Sequence, residues 1–142
     1  MADSTASVTW SGSLLEGGGT IERVGSGVFG GLPITWDART GEEGGKTTPE
    51  ELIAAAHASC YSMALSHGLA QGGNPPDRLE TSATVSFVPG TGITKIALTV
   101  TGSVPGVDED VFAAAAQDAV ENCPVSKALA AVPEITVDAR LT

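Results

Sequence analysis

Thr48-Pro-Glu-Glu-Leu-Ile-Ala-Ala-Ala-His-Ala-Ser-Cys-Tyr-Ser-Met-Ala-Leu65 is the stretch that decides how this chain folds. Thr48 and Glu51 have the spacing of a capping box, and Pro49 takes the first helical position, so a helix opens here. Gly72-Gly73-Asn74-Pro75-Pro76 stops it after Gln71. At about 100° per residue, Leu52, Ala56, Cys60, Met63 and His67 share a sector of roughly 80°. Cys60 is therefore predicted on a mostly apolar face. Alanine fills most other positions and lets neighbouring elements approach closely.

Upstream, Ala6, Val8 and Trp10 alternate with polar residues until Ser11-Gly12 turns the chain. Thr20 to Val24 and Leu32 to Trp36 read as two more strands, and Gly41 to Lys46 as a loop. Downstream, Ala83, Val85 and Phe87 alternate with Ser82, Thr84 and Ser86. Ile96, Leu98 and Val100 do the same after the turn Pro89-Gly-Thr-Gly92, which predicts an antiparallel hairpin with one wet face. Asp108 caps a second helix through Asn122. Cys123-Pro124 breaks it, because a residue before proline avoids the α region. Pro124 then opens a short helix to Ala131. Ile135, Val137, Ala139 and Leu141 form a last strand. The order β-β-β-α-β-β-α-β predicts one α+β domain over residues 1–142, an antiparallel sheet packed with two main helices.

The bulk numbers exclude several classes of function. The 142 residues suffice for a hydrophobic core, with 42% hydrophobic and 17% charged residues. Seven Lys plus Arg stand against 17 Asp plus Glu, a net charge of −10. No basic stripe invites nucleic acid, and an anionic membrane surface repels such a chain. Met1-Ala-Asp-Ser-Thr lacks the basic and apolar start of a signal peptide. The apolar run Leu52 to Ala70 is interrupted by His57, Ser59, Ser62, Ser66 and His67, so it reads as a buried helix and not a membrane span. The expected compartment is cytoplasmic, where a disulfide is more often catalytic or redox-sensing than structural.

Two cysteines, Cys60 and Cys123, are all the chain has. Each has a plain reading as a small buried hydrophobe and a functional one as a thiolate. An apolar pocket raises the pKa of Cys60, so reactivity there needs a fixed cation nearby. If Cys123 caps the short helix, backbone N–H groups point at its sulfur and favour the thiolate. A zinc site from His57, Cys60, His67 and Cys123 is limited by length. His57 and His67 lie about 15 Å apart along a helix, too far for one ion. His57, Cys60 and Cys123 remain as a partial set, against core or interface packing for both histidines. Glu50 and Glu51 suit a helix N-terminus as they stand, and a loop arginine such as Arg39 is ordinarily solvated.

Pro49-Glu-Glu-Leu52, Ala56-His-Ala-Ser-Cys60 and the distant Asn122-Cys-Pro-Val-Ser-Lys-Ala-Leu129 together resemble the OsmC/Ohr family of thiol-dependent peroxidases. Element order and length match across essentially the whole chain. Ala56-His57-Ala58 and the arginine of Trp36-Asp-Ala-Arg39 resemble the OsmC branch more than the Ohr branch. The resemblance implies an intertwined α+β homodimer with two active sites at the subunit interface, which reduces organic hydroperoxides and hydrogen peroxide in oxidative and osmotic stress defence. It implies that Cys60 is the peroxidatic cysteine, Cys123 the resolving one, Arg39 the group that stabilises the thiolate, and Glu50 the carboxylate that holds Arg39. A dithiol, with lipoylated proteins as the class the resemblance suggests, would be the reductant, and no metal or organic cofactor is implied. The competing reading is a redox sensor or binding module on the same fold. Glu50 and Cys60 are ten residues apart on one helix, about 15 Å along its axis. Arg39 and Glu50 are therefore expected to serve Cys60 of the partner subunit.

Overall fold

The computed structural model describes all of Met1–Thr142. The chain divides into two units, Met1–Leu52 and Ile53–Thr142. In the first, β1 (Ala6–Ser11), β2 (Gly18–Val24) and β3 (Gly30–Ile34) form an antiparallel meander in the order β1-β2-β3. Every residue of β1 is exposed, and Ile21 is the only hydrophobic residue of this sheet that is buried. The third strand ends earlier than its β-forming residues predict. Thr35 is extended, and its hydroxyl accepts the Ala38 N–H at 3.2 Å, so Trp36 opens the one-turn helix α1 (Trp36–Arg39) instead of closing β3.

Helix α2 spans Pro49–Gln71, the predicted bounds. Its capping box is half formed. The Glu51 N–H donates to Thr48 Oγ1 at 3.0 Å, whereas the Glu51 carboxylate takes its bond from the Thr47 hydroxyl, also at 3.0 Å. The buried stripe of this helix is His57, Tyr61, Leu65 and Leu69. That corrects the face assigned from the sequence. Met63, on the predicted apolar sector, is 72% exposed, and Cys60 sits at the margin of the stripe.

The second unit is built on β4 (Arg78–Val88), β5 (Gly92–Ser103) and β6 (Glu134–Leu141), in the order β4-β5-β6. The β4–β5 hairpin is antiparallel as predicted. The last strand is not: β6 runs parallel to β5, with Leu98 opposite Val137. The sheet is therefore mixed, and the chain holds two three-stranded sheets in place of one antiparallel sheet. The reason lies in the connection. A tight turn returns a chain antiparallel, but β5 and β6 are joined through α3 (Glu109–Asn122) and α4 (Pro124–Ala128). Such a helical crossover brings the next strand back in the same direction.

Asp108 caps α3, its carboxylate accepting the Val111 N–H at 2.9 Å. Helix α4 ends at Ala128, shorter than predicted. Tyr61, Leu65, Ile96, Leu98, Val100, Phe112, Ala116 and Cys123 form the centre of the core. The Tyr61 hydroxyl is satisfied there by the Ala116 carbonyl at 2.8 Å. Gly102 makes room for Phe112, since a Cβ would lie 2.7 Å from its ring. No helix is long and apolar enough to cross a membrane.

Candidate active site

In the first unit, α1 carries Arg39 at its end and the first turn of α2 carries Glu50. Thr35 fixes the approach to α1 twice, by its cap bond and by donating to Glu43 Oε2 at 2.9 Å. Arg39 then meets Glu50 through three bonds: Nη2 to Oε1 at 2.8 Å, Nε to Oε1 at 3.0 Å and Nε to Oε2 at 3.3 Å. Glu50 is only 5% exposed. A carboxylate that deep needs a partner, and this forked pairing both supplies one and fixes the plane of the guanidinium. Dipole chemistry at a helix start does not require such burial. No spacing rule in the sequence predicts the contact; the family resemblance alone pointed to it.

In the second unit, the structure brings Cys60 and Cys123 together. Both are free thiols, and they approach to 3.3 Å. A disulfide is about 2.05 Å long, so a small shift joins them. Cys60 comes from the middle of α2. Cys123 closes α3 and precedes Pro124, with φ −69° and ψ 119°. That extended backbone is what proline imposes on its predecessor, and it turns the cysteine away from the α3 axis. Cys60, Met63, Ala64, His67, Gly68, Asn122 and Pro124 line an open cleft of about 510 Å³. Cys123 is fully buried behind it.

The two thiols differ in proton affinity. Burial pushes Cys60 above its ordinary value; the Val125 N–H opposes that, and the Cys123 sulfur adds to it. Burial also raises Cys123, but the Ser126 N–H and hydroxyl, the Cys60 thiol and the Val125 N–H together outweigh it, so Cys123 lies below its ordinary value. None of the groups acting on Cys60 is a cation. Of the two thiols, Cys123 holds its proton less tightly, and a cation brought to Cys60 would offset the burial that raises it.

His57 is completely buried, with Nε2 2.6 Å from Ser126 Oγ and no partner for Nδ1. No group of three His, Cys, Asp or Glu side chains is placed to hold a metal ion. His67 is exposed at the cleft. Sequence reasoning takes His57 as packing or as a zinc ligand and misses its tie to Ser126, although the Cys123-Pro-Val-Ser126 motif contains that serine.

Burial lowers the pKa of His57 below 6.5. The unfolded chain then takes up this proton first as pH falls, so the contribution of His57 to stability is complete above the unfolded value and is lost as pH falls through the folded one. A His57→Gln variant is expected to lose less Tm than wild type between about pH 7 and pH 5. Equal slopes in thermal melts would contradict that assignment.

The OsmC-like protein family model matches residues 41–138. The peroxiredoxin OsmC of Escherichia coli (strain K12) is 45% identical over 136 residues, covering 93% of this chain and 92% of the relative. Among solved structures, the organic hydroperoxide resistance protein OhrB of Bacillus subtilis superposes with a TM-score of 0.65 at 25% identity, over 97% of this chain and 98% of that one. An OsmC-like protein of unknown function from Vibrio cholerae gives a TM-score of 0.72 at 18% identity, over 98% and 99%, a likeness of fold.

Proposed function

The chain belongs to the OsmC-like family, and on that premise we propose that it is a thiol-dependent peroxidase acting on organic hydroperoxides and hydrogen peroxide. The observation that carries the reading is the pair of reduced cysteines 3.3 Å apart, one of them lining a cleft, in a chain this similar to a peroxiredoxin. The Cys60 thiolate attacks the terminal peroxide oxygen. The O–O bond breaks, the alkoxide or hydroxide leaves and takes a proton, and Cys60 becomes a sulfenic acid. Cys123 attacks that sulfur, water leaves, and a disulfide forms. An external dithiol restores both thiols by exchange, with lipoylated proteins as the expected donor class. The chemistry belongs to sulfur and calls on no cofactor. The low proton affinity of Cys123 suits it to attack the sulfenic acid.

Arg39, held by Glu50, supplies the cation that Cys60 needs, and it does so from the partner subunit of a homodimer. The ten-residue spacing of Glu50 and Cys60 supports that arrangement. So do the bare faces of the first unit: Val8, Trp10, Leu14, Leu15, Val28 and Phe29, in β1 and the loops that flank β2, are all exposed. An apolar set of that size on an antiparallel meander calls for a covering surface, and an intertwined second copy provides it. On this reading residues 1–142 function as one domain within the dimer, and the protein works in the cytoplasm.

Steady-state consumption of tert-butyl hydroperoxide with a dithiol tests the reading. Many turnovers per subunit are expected; a single equivalent consumed followed by arrest would favour the redox sensor. A Cys123→Ser variant should still consume the first equivalent, then turn over roughly ten- to a hundredfold more slowly with dithiol. Mass spectrometry should show Cys60 carrying added oxygen in place of the loss of two hydrogens expected for the wild type.

A further inference from the structure

Ser126 lies between two buried groups that the reaction above leaves unconnected. On one side is His57 from α2, with Nε2 2.6 Å from Ser126 Oγ. On the other is the Cys123 sulfur, three residues earlier in the chain, which the Ser126 N–H and hydroxyl both face. The sulfur takes no cap bond from the backbone of α4, so the hydroxyl is the side-chain donor beside it.

The bare Nδ1 of His57 decides which way the protons run. A neutral imidazole carries one N–H. Placed on Nδ1, it would be a buried donor with no acceptor, which is rarer and costlier in folded proteins than an idle lone pair. Placed on Nε2, it donates to Ser126 Oγ. Ser126 then accepts from the ring, and its own proton is free to point at Cys123. Burial favours the neutral ring, which suits this arrangement.

We infer that His57 and Ser126 form a buried relay of hydrogen bonds, Nε2–H to Oγ and Oγ–H to Sγ, that holds the sulfur of Cys123 ready as a thiolate. The inference rests on the peroxidase reading for its purpose and on the geometry for its existence. In the resolving step this thiolate attacks the Cys60 sulfenic sulfur. The S–S bond forms, the S–O bond breaks, and hydroxide departs with a proton as water. The electrons that reduce the sulfenic acid come from Cys123. When a dithiol later attacks Cys60, the same hydroxyl stabilises Cys123 as the leaving group. Both relay residues position; neither touches peroxide. The other titratable groups facing Cys123 are Cys60 and Tyr61, both from α2. The Tyr61 hydroxyl is committed to the Ala116 carbonyl.

The test uses the full chain with Cys60→Ser, which leaves one thiol and needs no peroxide. Thiolate absorbance in the ultraviolet is followed against pH. Adding Ser126→Ala or His57→Phe should raise the Cys123 midpoint by about one pH unit. Ser126→Thr should restore it, which loss of packing alone does not explain. Unchanged midpoints in folded variants would overturn the relay. Nitrogen NMR of His57 in the Cys60→Ser protein keeps the question open to refutation even if a relay variant misfolds. An Nε2–H tautomer is expected, and Nδ1–H overturns the inference. A shifted midpoint in a protein that consumes no hydroperoxide leaves the relay standing and removes the peroxidase reading; the reverse outcome removes the relay alone.

Discussion

Replacing Cys60 by serine is expected to reduce dithiol-coupled consumption of tert-butyl hydroperoxide by a factor on the order of a thousand or more. Serine keeps the size of the side chain but not the sulfur, and only sulfur can accept the peroxide oxygen and later release it. The prediction has a sharp competitor inside the same site. Cys123 holds its proton less tightly than Cys60 in the single chain, and a thiolate is the better nucleophile. Were proton affinity decisive, Cys123 would attack first, and the Cys60→Ser protein would still consume one equivalent of peroxide. Access argues the other way. Cys60 lines the cleft, whereas Cys123 has no exposed surface. A hydroperoxide must bring its oxygen in line with the sulfur, and a buried sulfur cannot be approached without opening the core. Rapid-mixing measurement of the first equivalent in Cys60→Ser separates the two orders. Its complete absence is expected, and its retention at the wild-type rate would exchange the two roles.

The elements of the fold were largely legible because local signals specify them. Pro49 and Gly72-Gly73 bracket α2, Asp108 caps α3, and period-two alternation marks β4, β5 and β6. What sequence missed was relational. Alternation says that Ile135 to Leu141 is a strand, but nothing in it distinguishes parallel from antiparallel pairing; the helices between β5 and β6 decide that. The buried stripe of α2 was misplaced for a similar reason. So many of its positions are alanine that the helix has little amphipathic contrast, and the stripe is set by what packs against it. Tyr61 was not part of the predicted sector, yet its ring is fully buried in the core, where the Ala116 carbonyl of α3 accepts its hydroxyl. The site divides along the same line. The motif resemblance proposes Cys60, Cys123, Arg39 and Glu50 as candidates, while the bond between His57 and Ser126 spans 69 positions and has no local signal.

Two inactive variants are expected to regain activity when they share a dimer. Arg39→Ala alone should lower turnover about a hundredfold or more, the usual cost of removing a preorganised charged donor from a developing anion. Cys60→Ser alone is inactive for lack of sulfur. In a dimer with one subunit of each kind, the two sites differ if Arg39 reaches across. One site then carries both substitutions and is doubly damaged. The other combines the intact Cys60 of the Arg39→Ala subunit with the intact Arg39 of the Cys60→Ser subunit. Heterodimers isolated with two affinity tags should therefore recover about half of the wild-type rate per dimer, because a twofold interface repeats every contact once in each direction. If Arg39 served the cysteine of its own chain, each site would keep one lesion and the heterodimer would stay as slow as its parents. The thiols point to the first outcome. Burial holds the Cys60 proton on, and the groups acting on that sulfur include no cation. The guanidinium that Glu50 fixes through three hydrogen bonds is already aligned in the first unit. A cation so rigidly oriented, delivered across the dimer, would lower the Cys60 pKa without first having to be ordered. The same heterodimer made with Glu50→Gln in place of Arg39→Ala should recover likewise if Glu50 acts through the arginine it holds.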